Sequence, residues 1–427
     1  MTATLVDSEL PAPGPASPPF TERVKALKAW QRSMLYASVG LLTLSLVRVI
    51  SGADDLTSSG TIGAALRLAV PIGMAGLGGI FAERVGIVNI GLEGMMILGT
   101  WFGAYGAYQF GPWTGLLLGI AGGALGGLLH AVATVTFNVD HIISGVAVNI
   151  VAGGLARYLS VIAYDESSGG SATQSPPRKG QIGTVTVPGL SSGLKSIEDR
   201  HWFLISDVAG IVRGVTSNLS LGTVAAAVIL VASFLLLWKT RFGLRLRSIG
   251  ENPYAAESLG VPVLRIKYMG VILSGMCAGF GGAFLSVVQA SIYREGQTAG
   301  RGFIGLATMI FGNWRPGGLT AGALLFGFSD GLQLRSSSSV PALFLFVAFL
   351  CAAIAAVQIL GKRPKAAALT SVIGIGFLIA YLTIDTVPGS LTYCTPYVVT
   401  LVVLATSAQR LRPPAADGQP YRRGEAH

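Results

Sequence analysis

Apolar runs of membrane length, separated by short polar or basic stretches, recur through most of this sequence. They cover 33–50, 61–81, 94–110, 113–136, 142–163, 218–238, 268–288, 317–334, 341–360, 366–386 and 393–409. As helices, such runs span a hydrocarbon core of about 30 Å. The run 302–312 is too short to span alone and reads as a half-helix or part of a longer broken one. The pattern predicts an all-α polytopic transmembrane protein of about 10–12 helices. A transmembrane barrel would instead alternate over segments of about 10 residues.

Composition sharpens this picture. The chain is 51% hydrophobic and 12% charged, with 58 glycines, where a soluble domain carries about 25% charged residues. The net charge of +10 would suit a nucleic-acid partner, but the basic residues cluster between apolar runs. Lys and Arg are enriched in cytoplasmic loops, so the charge reads as topology and no nucleic acid is expected. Arg23, Lys25, Lys28 and Arg32 put the N-terminus inside. Lys239, Arg241, Arg245, Arg247, Arg265 and Lys267 make 239–267 a cytoplasmic loop, and Lys362, Arg363, Lys365 and an Arg-rich end put 410–427 inside as a cytoplasmic tail. By parity the Ser-, Gly- and Pro-rich loop 164–217 is extracytoplasmic; its basic residues weigh little because long loops follow the charge rule poorly. Residues 1–32 read as a disordered Pro-rich leader with no cleaved signal peptide, and 33–409 as the transmembrane domain.

The two halves echo one another. Gly76-Leu77-Gly78-Gly79-Ile80-Phe81 matches Gly279-Phe280-Gly281-Gly282-Ala283-Phe284, and Gly91-Leu92-Glu93-Gly94 resembles Gly302-Phe303-Ile304-Gly305. Gly111-Pro112 and Arg315-Pro316 then each open a Gly- and Leu-rich run. Order is kept, and the copies, about 61–163 and 268–360, run in opposite directions. That predicts an inverted repeat, which transporters use to place a pathway at the midplane. The small residues around Gly122-Gly123 and Gly126-Gly127 suit close helix packing.

Gly250 to Gly260 is different: a soluble-type helix between two spans. Asn252 is a good N-cap, Pro253 suits the first helical position, and Gly260 with Pro262 ends the helix. About two turns are marginal alone in water, so this helix leans on its own protein, on a partner, or on both. Polar groups inside membrane segments default to functional candidates. Glu83 and Arg84 either pair with each other or sit at the inner interface. Asn89 and Glu93, four apart, suit either a polar solute or the locking of a broken helix, and Asn149 is a further candidate for the pathway. Arg157 raises the same question, whereas Asp330 and Arg335 read as lying near an outer helix end. His130 and His141 lack ligand-spaced partners and read as interhelical or interfacial residues; Cys277, Cys351 and Cys394 read as packing. No catalytic group, metal or cofactor is expected.

Leu246-Arg247-Ser248-Ile249-Gly250-Glu251-Asn252-Pro253-Tyr254-Ala255-Ala256, followed by Gly260-Val261 and Ser274-Gly275-Met276-Cys277-Ala278-Gly279, resembles the cytoplasmic loop of ABC-importer permeases of the simple sugar, nucleoside and branched-chain amino acid branch. Residues 79–99, with Asn89-Ile90-Gly91-Leu92-Glu93-Gly94, are similar to the nucleoside type; ribose-type members carry Gly-Ile-Asp-Leu-Ser-Val-Gly instead. The resemblance covers roughly 60–360 and implies a multi-pass permease of a bacterial inner membrane. It implies that Gly250, Glu251, Asn252, Pro253, Ala255, Ala256, Glu257 and Gly260 form a coupling helix seated on an ABC ATPase subunit. The Ala255-Ala256 pair would allow close seating, so Ala256→Arg is expected to fall on the docking face. No Gly-x-x-x-x-Gly-Lys-Ser/Thr loop is present, which assigns ATP hydrolysis to that separate chain. The other implied partners are a second permease subunit, identical or related, and an extracytoplasmic solute-binding protein. The implied solute is small and polar, a nucleoside first and a monosaccharide second. From the residues alone, an ion-driven secondary transporter and a non-transporting scaffold remain open.

Overall fold

The computed structural model describes residues 26–335, 339–361, 363–384, 387 and 411–424. The run 393–409, Cys394, Lys362, the side chain of Arg335 and most of the expected leader lie outside the described residues. Helices stand where the apolar runs predict them: α1 (Ala29–Ser51), α2 (Ser59–Glu83), α3 (Leu92–Phe110), α4 (Pro112–Ala131) and α5 (His141–Tyr164). After the insertion α6 (Leu190–Glu198) and α7 (Ile205–Thr216) come α8 (Leu221–Lys239), α9 (Arg241–Glu251), α10 (Pro253–Ser258) and α11 (Val263–Ala283). The chain continues through α12 (Arg301–Phe311), α13 (Pro316–Arg335), α14 (Pro341–Leu360) and α15 (Pro364–Thr383). Among the described residues, 8 helices are long and apolar enough to cross a bilayer. α3 and α13 are as long but less apolar, and the short run becomes the 11-residue α12. This is a multi-pass membrane protein.

Local chemistry sets the helix ends. Ser58 accepts from the Thr61 N–H at 3.2 Å, and Asp140 accepts from the Ile142 and Ile143 N–H groups at 2.9 and 3.0 Å. Proline opens α4, α13, α14 and α15, where its missing N–H leaves nothing unpaired.

The chain divides into two compact units. One holds α1, α14 and α15; α14 packs on both of the others, with Phe344 against Phe377 at 6.1 Å. The other unit holds α2 to α13 and residues 411–424.

At the centre of the larger unit lie α2 and α11, packed on each other and each 78% buried, against 44% or less for every other helix of membrane length and apolarity. Around them the neighbours are exchanged: α2 packs on α12 and α13, α11 on α3 and α4. This is the contact pattern an inverted repeat produces, with α2, α3 and α4 answering α11, α12 and α13. Small residues allow both approaches. A Cβ on Gly123 of α4 would sit 2.2 Å from the Gly275 carbonyl of α11, and one on Gly327 of α13 would sit 2.3 Å from the Ala65 carbonyl of α2.

Each central helix is followed by an irregular break, 84–91 after α2 and 290–300 after the π turn Phe284–Gln289 that ends α11. The loop 164–217 departs from its Ser-Gly-Pro reading: it contains the amphipathic α6 and α7 and a short strand, Thr184–Val185, which pairs with Leu219–Ser220 just beyond it. It is tied to the start of α2, where Glu198 accepts from the Ser59 N–H at 2.8 Å and Arg213 at 2.7 Å, and Asp207 accepts from Thr57. At the opposite end of α2, residues 239–267 and 411–424 come together.

Candidate functional site

The feature singled out by sequence is built by two caps in succession. Thr240 accepts from the Gly243 N–H at 3.1 Å and starts α9; Asn252 accepts from the Ala255 N–H at 2.9 Å and starts α10. Pro253 takes the first position, and Gly260, at φ +79°, turns the chain into α11.

The two-turn helix has two faces. Pro253 and Ala256 are buried, Ala256 in a cluster with Leu246, Ile249, Val263 and Ile266. Glu251, Asn252, Ala255, Ser258 and Leu259 are exposed, Leu259 to 84%. The expectation that Ala256 faces outward is therefore corrected: Ala256 is only 3% exposed. It lies one helical turn from Asn252 and supports the helix from beneath. Gly250 is also internal, because a Cβ there would meet the Arg84 carbonyl at 2.4 Å. Gly260 lies outside and supplies the turn. Tyr254 and Glu257 are half-buried at the flank, where Tyr254 meets Tyr421 at 5.3 Å and Glu257 meets Arg423 at 3.5 Å.

Glu83 and Arg84 lie beneath this helix and do not pair with each other. Both bind Trp314: the indole N–H donates to Glu83, and Arg84 donates to the Trp314 carbonyl at 2.9 Å. Arg84 also faces Glu251 at 3.9 Å and stacks over Trp238 at 5.8 Å. Burial lowers its pKa, and Glu251 opposes that shift. Asp417 lies within hydrogen-bond reach of Glu83. Burial pushes Asp417 up to about 7, against the pull of Glu83, the Gly418 N–H and Lys267.

The candidate pathway residues converge on the first break. Asn149 accepts from the Gly94 N–H at 2.7 Å and donates to the Ile90 carbonyl at 3.1 Å. Asn89, fully buried, donates to Ser274 at 2.8 Å, while its Oδ1 has no protein partner. The carboxylate of Glu93 accepts from the Gly300 and Gly302 N–H groups at 2.9 and 2.7 Å, at the N-terminus of α12. An anion is favoured there by the helix dipole. Of the two roles open to Asn89 and Glu93, these bonds lock broken helices. Beside the second break, Ile97, Thr100, Gly153, Tyr293 and Gln297 line a cavity of about 100 Å³. A larger cavity of about 290 Å³ opens between Thr136, Tyr268 and Arg423.

Arg157 contacts Glu295 near the second break, and Asp330 is half-buried with Arg301 as its nearby cation. His130 bridges Ser144 at 2.8 Å and the Val88 carbonyl at 3.1 Å; His141 accepts from the Val88 N–H at 3.3 Å. Among the described residues no three His, Cys, Asp or Glu groups gather as for a metal ion. Sequence reasoning missed Trp314, Asp417, Tyr421 and Arg423. Nothing in a Pro- and Gly-rich tail marks which residues fold back, so the only signal was Tyr421, a lone aromatic among charges.

The family model described as branched-chain amino acid transport system / permease component matches residues 61–352. The nucleoside ABC transporter permease protein NupC of Lactococcus lactis subsp. cremoris is 37% identical over 311 residues, 69% of this chain and 91% of that protein. The guanosine ABC transporter permease protein NupQ of Bacillus subtilis is 33% identical over 318 residues, 71% and 93% of the two chains. A putative glucose ABC transporter permease protein of Haloferax volcanii, TsgC13, is 32% identical over 282 residues, 66% and 79%. No solved structure matches.

Proposed function

The chain belongs to the family of branched-chain amino acid transport system / permease components, and on that premise we propose that it is the membrane subunit of an ATP-driven importer that takes up a nucleoside. The observation that carries the reading is α10: a capped helix, fixed from beneath by Pro253 and Ala256, with Asn252, Ala255, Ser258 and Leu259 turned outward. A short helix fixed on one side and bare on the other is a docking element. Its partner is a separate ATPase subunit, since this chain lacks a phosphate loop.

Movement of α10 reaches the membrane core by short routes. Glu251 faces Arg84 at the end of α2, and Val263 begins α11 five residues after Ser258. Those are the two central helices, so displacing α10 biases both halves of the repeat together. Alternating access needs such a bistable element and a partner that binds its two states unequally.

The solute pathway forms between two permease subunits. A pocket for a drug-sized molecule is about 300–1,000 Å³, and the cavity beside the second break, about 100 Å³, is too small. The path runs past the two breaks, which Asn89, Glu93 and Asn149 hold in shape. The loop 164–217 faces outward and receives a solute-binding protein, with both termini in the cytoplasm of a bacterial cell. An ion-driven mechanism finds little support, because both oxygens of Glu93 are engaged by backbone N–H groups.

Similarity to nucleoside and guanosine permeases supports a nucleoside. Similarity to the putative glucose permease favours a second reading, a monosaccharide. Uptake of labelled guanosine and labelled glucose by cells with and without this chain separates the two. Guanosine uptake that requires the chain, with glucose unchanged, is the expected result; the reverse would assign the monosaccharide.

A further inference from the structure

Residues 411–424 lie outside the stretch that matches the family, 61–352, and in the same unit as α10. They are fastened at four places, two of them on the loop around α10. The Arg412 N–H donates to Asn313 at 2.8 Å, and the Ala416 N–H donates to the Gly250 carbonyl at 2.8 Å. Asp417 meets Glu83 at the end of α2. Tyr421, 5% exposed, lies against Tyr254, under Lys267 at 5.6 Å, and bonds Glu257, which Arg423 also reaches. Two glycines make room for the segment: a Cβ on Gly86, at φ +77°, would meet the Ala416 carbonyl at 2.9 Å, and one on Gly250 would meet Pro414 at 3.3 Å. A surface tail has no need of a groove shaped this closely or of contacts to both ends of α10.

We propose that the C-terminal segment Leu411–Gly424 is a brace that fixes the coupling helix to the ends of α2 and α11, so that force applied to α10 moves the central helices instead of tilting α10 alone. The inference rests on the docking role given to α10 above. It makes Tyr421 and Asp417 positioning residues, which act on the partner only through α10. Without the brace, the six residues of α10 are held by the buried Pro253 and Ala256 alone, and ATP is hydrolysed with less solute moved.

The test uses the full complex of permease, ATPase and binding protein in proteoliposomes, reading guanosine imported per ATP hydrolysed. Tyr421→Ala, and separately a chain ending at residue 410, are expected to lower that ratio roughly five- to tenfold, the population shift that follows loss of one buried aromatic pair. Tyr421→Phe keeps the ring and is expected to stay near the parental ratio. Assembly with the ATPase, read by co-purification, is expected to be unchanged in all three. A pH profile adds a readout that simple destabilisation does not give. Glu83 from α2 and Lys267 from α11 face Asp417. The bound segment takes up a proton at a group raised to about 7, so bracing is strongest below the ordinary carboxylate pKa and is lost as pH rises through that value. The ratio is therefore expected to fall as internal pH rises through neutrality, and Asp417→Asn to flatten the profile. Parental ratios at every pH for Tyr421→Ala and for the shortened chain would overturn the brace. Leu259→Glu tests the docking role separately: if it leaves co-purification intact the coupling reading fails, whereas loss of co-purification there with parental ratios in the tail variants removes the brace alone.

Discussion

The breaks at 84–91 and 290–300 hold the same place in the two halves of the larger unit, yet they are held by different means. The first is locked by side chains, with Asn149 bonding Ile90 and Gly94 at its far edge and Asn89 bonding Ser274. The second is shaped by backbone, with Ser291, Gly296, Ala299 and Gly300 at positive φ, and its far edge is held by Glu93 reaching over from the first half. The helix packing around them is nearly interchangeable, since α2 meets α12 and α13 as α11 meets α3 and α4. The repeat is therefore preserved in small-residue packing, while the polar groups that hold each break differ between the halves, Asn89 and Asn149 at the first and Gln297 at the second.

The sharpest way to break that comparison is at the packing itself. Gly123→Leu and Gly327→Leu place a branched side chain where a Cβ alone would lie 2.2 and 2.3 Å from a backbone carbonyl. Both are expected to abolish accumulation of folded protein in membranes, to equal degree; tolerance of either would show that its half is not closely packed. Next in size is Glu93→Ala, which strips one buried and one part-buried N–H group of their acceptor. It is expected to cost about 2–4 kcal/mol and lower the detergent-unfolding midpoint. Glu93→Gln should cost less, because one oxygen remains. Asn149→Leu removes one donor and one acceptor from the first break and is expected to cost about 1–3 kcal/mol. Gln297→Leu removes the matching donor and acceptor from the second break, where Gln297 accepts from the Arg294 N–H and donates to the Leu285 carbonyl, and is expected to cost about 1–3 kcal/mol as well. The smallest effect lies at the insertion. Burial pushes Glu198 up, but the Ser59 N–H and Arg213 hold it below the usual carboxylate range. Its contribution is thus present near neutrality and is lost as pH falls through its lowered value. Glu198→Gln is expected to cost about 1 kcal/mol at neutral pH, for a partly exposed pair, and nothing measurable in acid.

The same contrast explains what could be read from residues alone. Span positions were legible because length and hydropathy are local, as at α5, expected over 142–163 and found over His141–Tyr164. The cap of α10 was legible because Asn252-Pro253 carries its own chemistry. The face of α10 was not: whether Ala255 or Ala256 points inward depends on where Val263 and Ile266 stand, and a six-residue helix has no apolar stripe long enough to tell. The amphipathic α6 and α7 were hidden by the Ser, Gly and Pro around them. The partners of Glu83 were out of reach for another reason: Trp314 lies 231 positions away, and Asp417 farther still, brought close by the fold alone.

Everything in the transport account passes through the outward side of α10, and photo-crosslinking in the assembled complex tests that surface most directly. A photo-reactive side chain introduced at Leu259 is expected to join the permease to the ATPase subunit, in a yield that changes when nucleotide is added, whereas one at Ala256 gives only links within the permease. Crosslinking to the ATPase from Ala256 but not from Leu259, or from neither, would contradict the account.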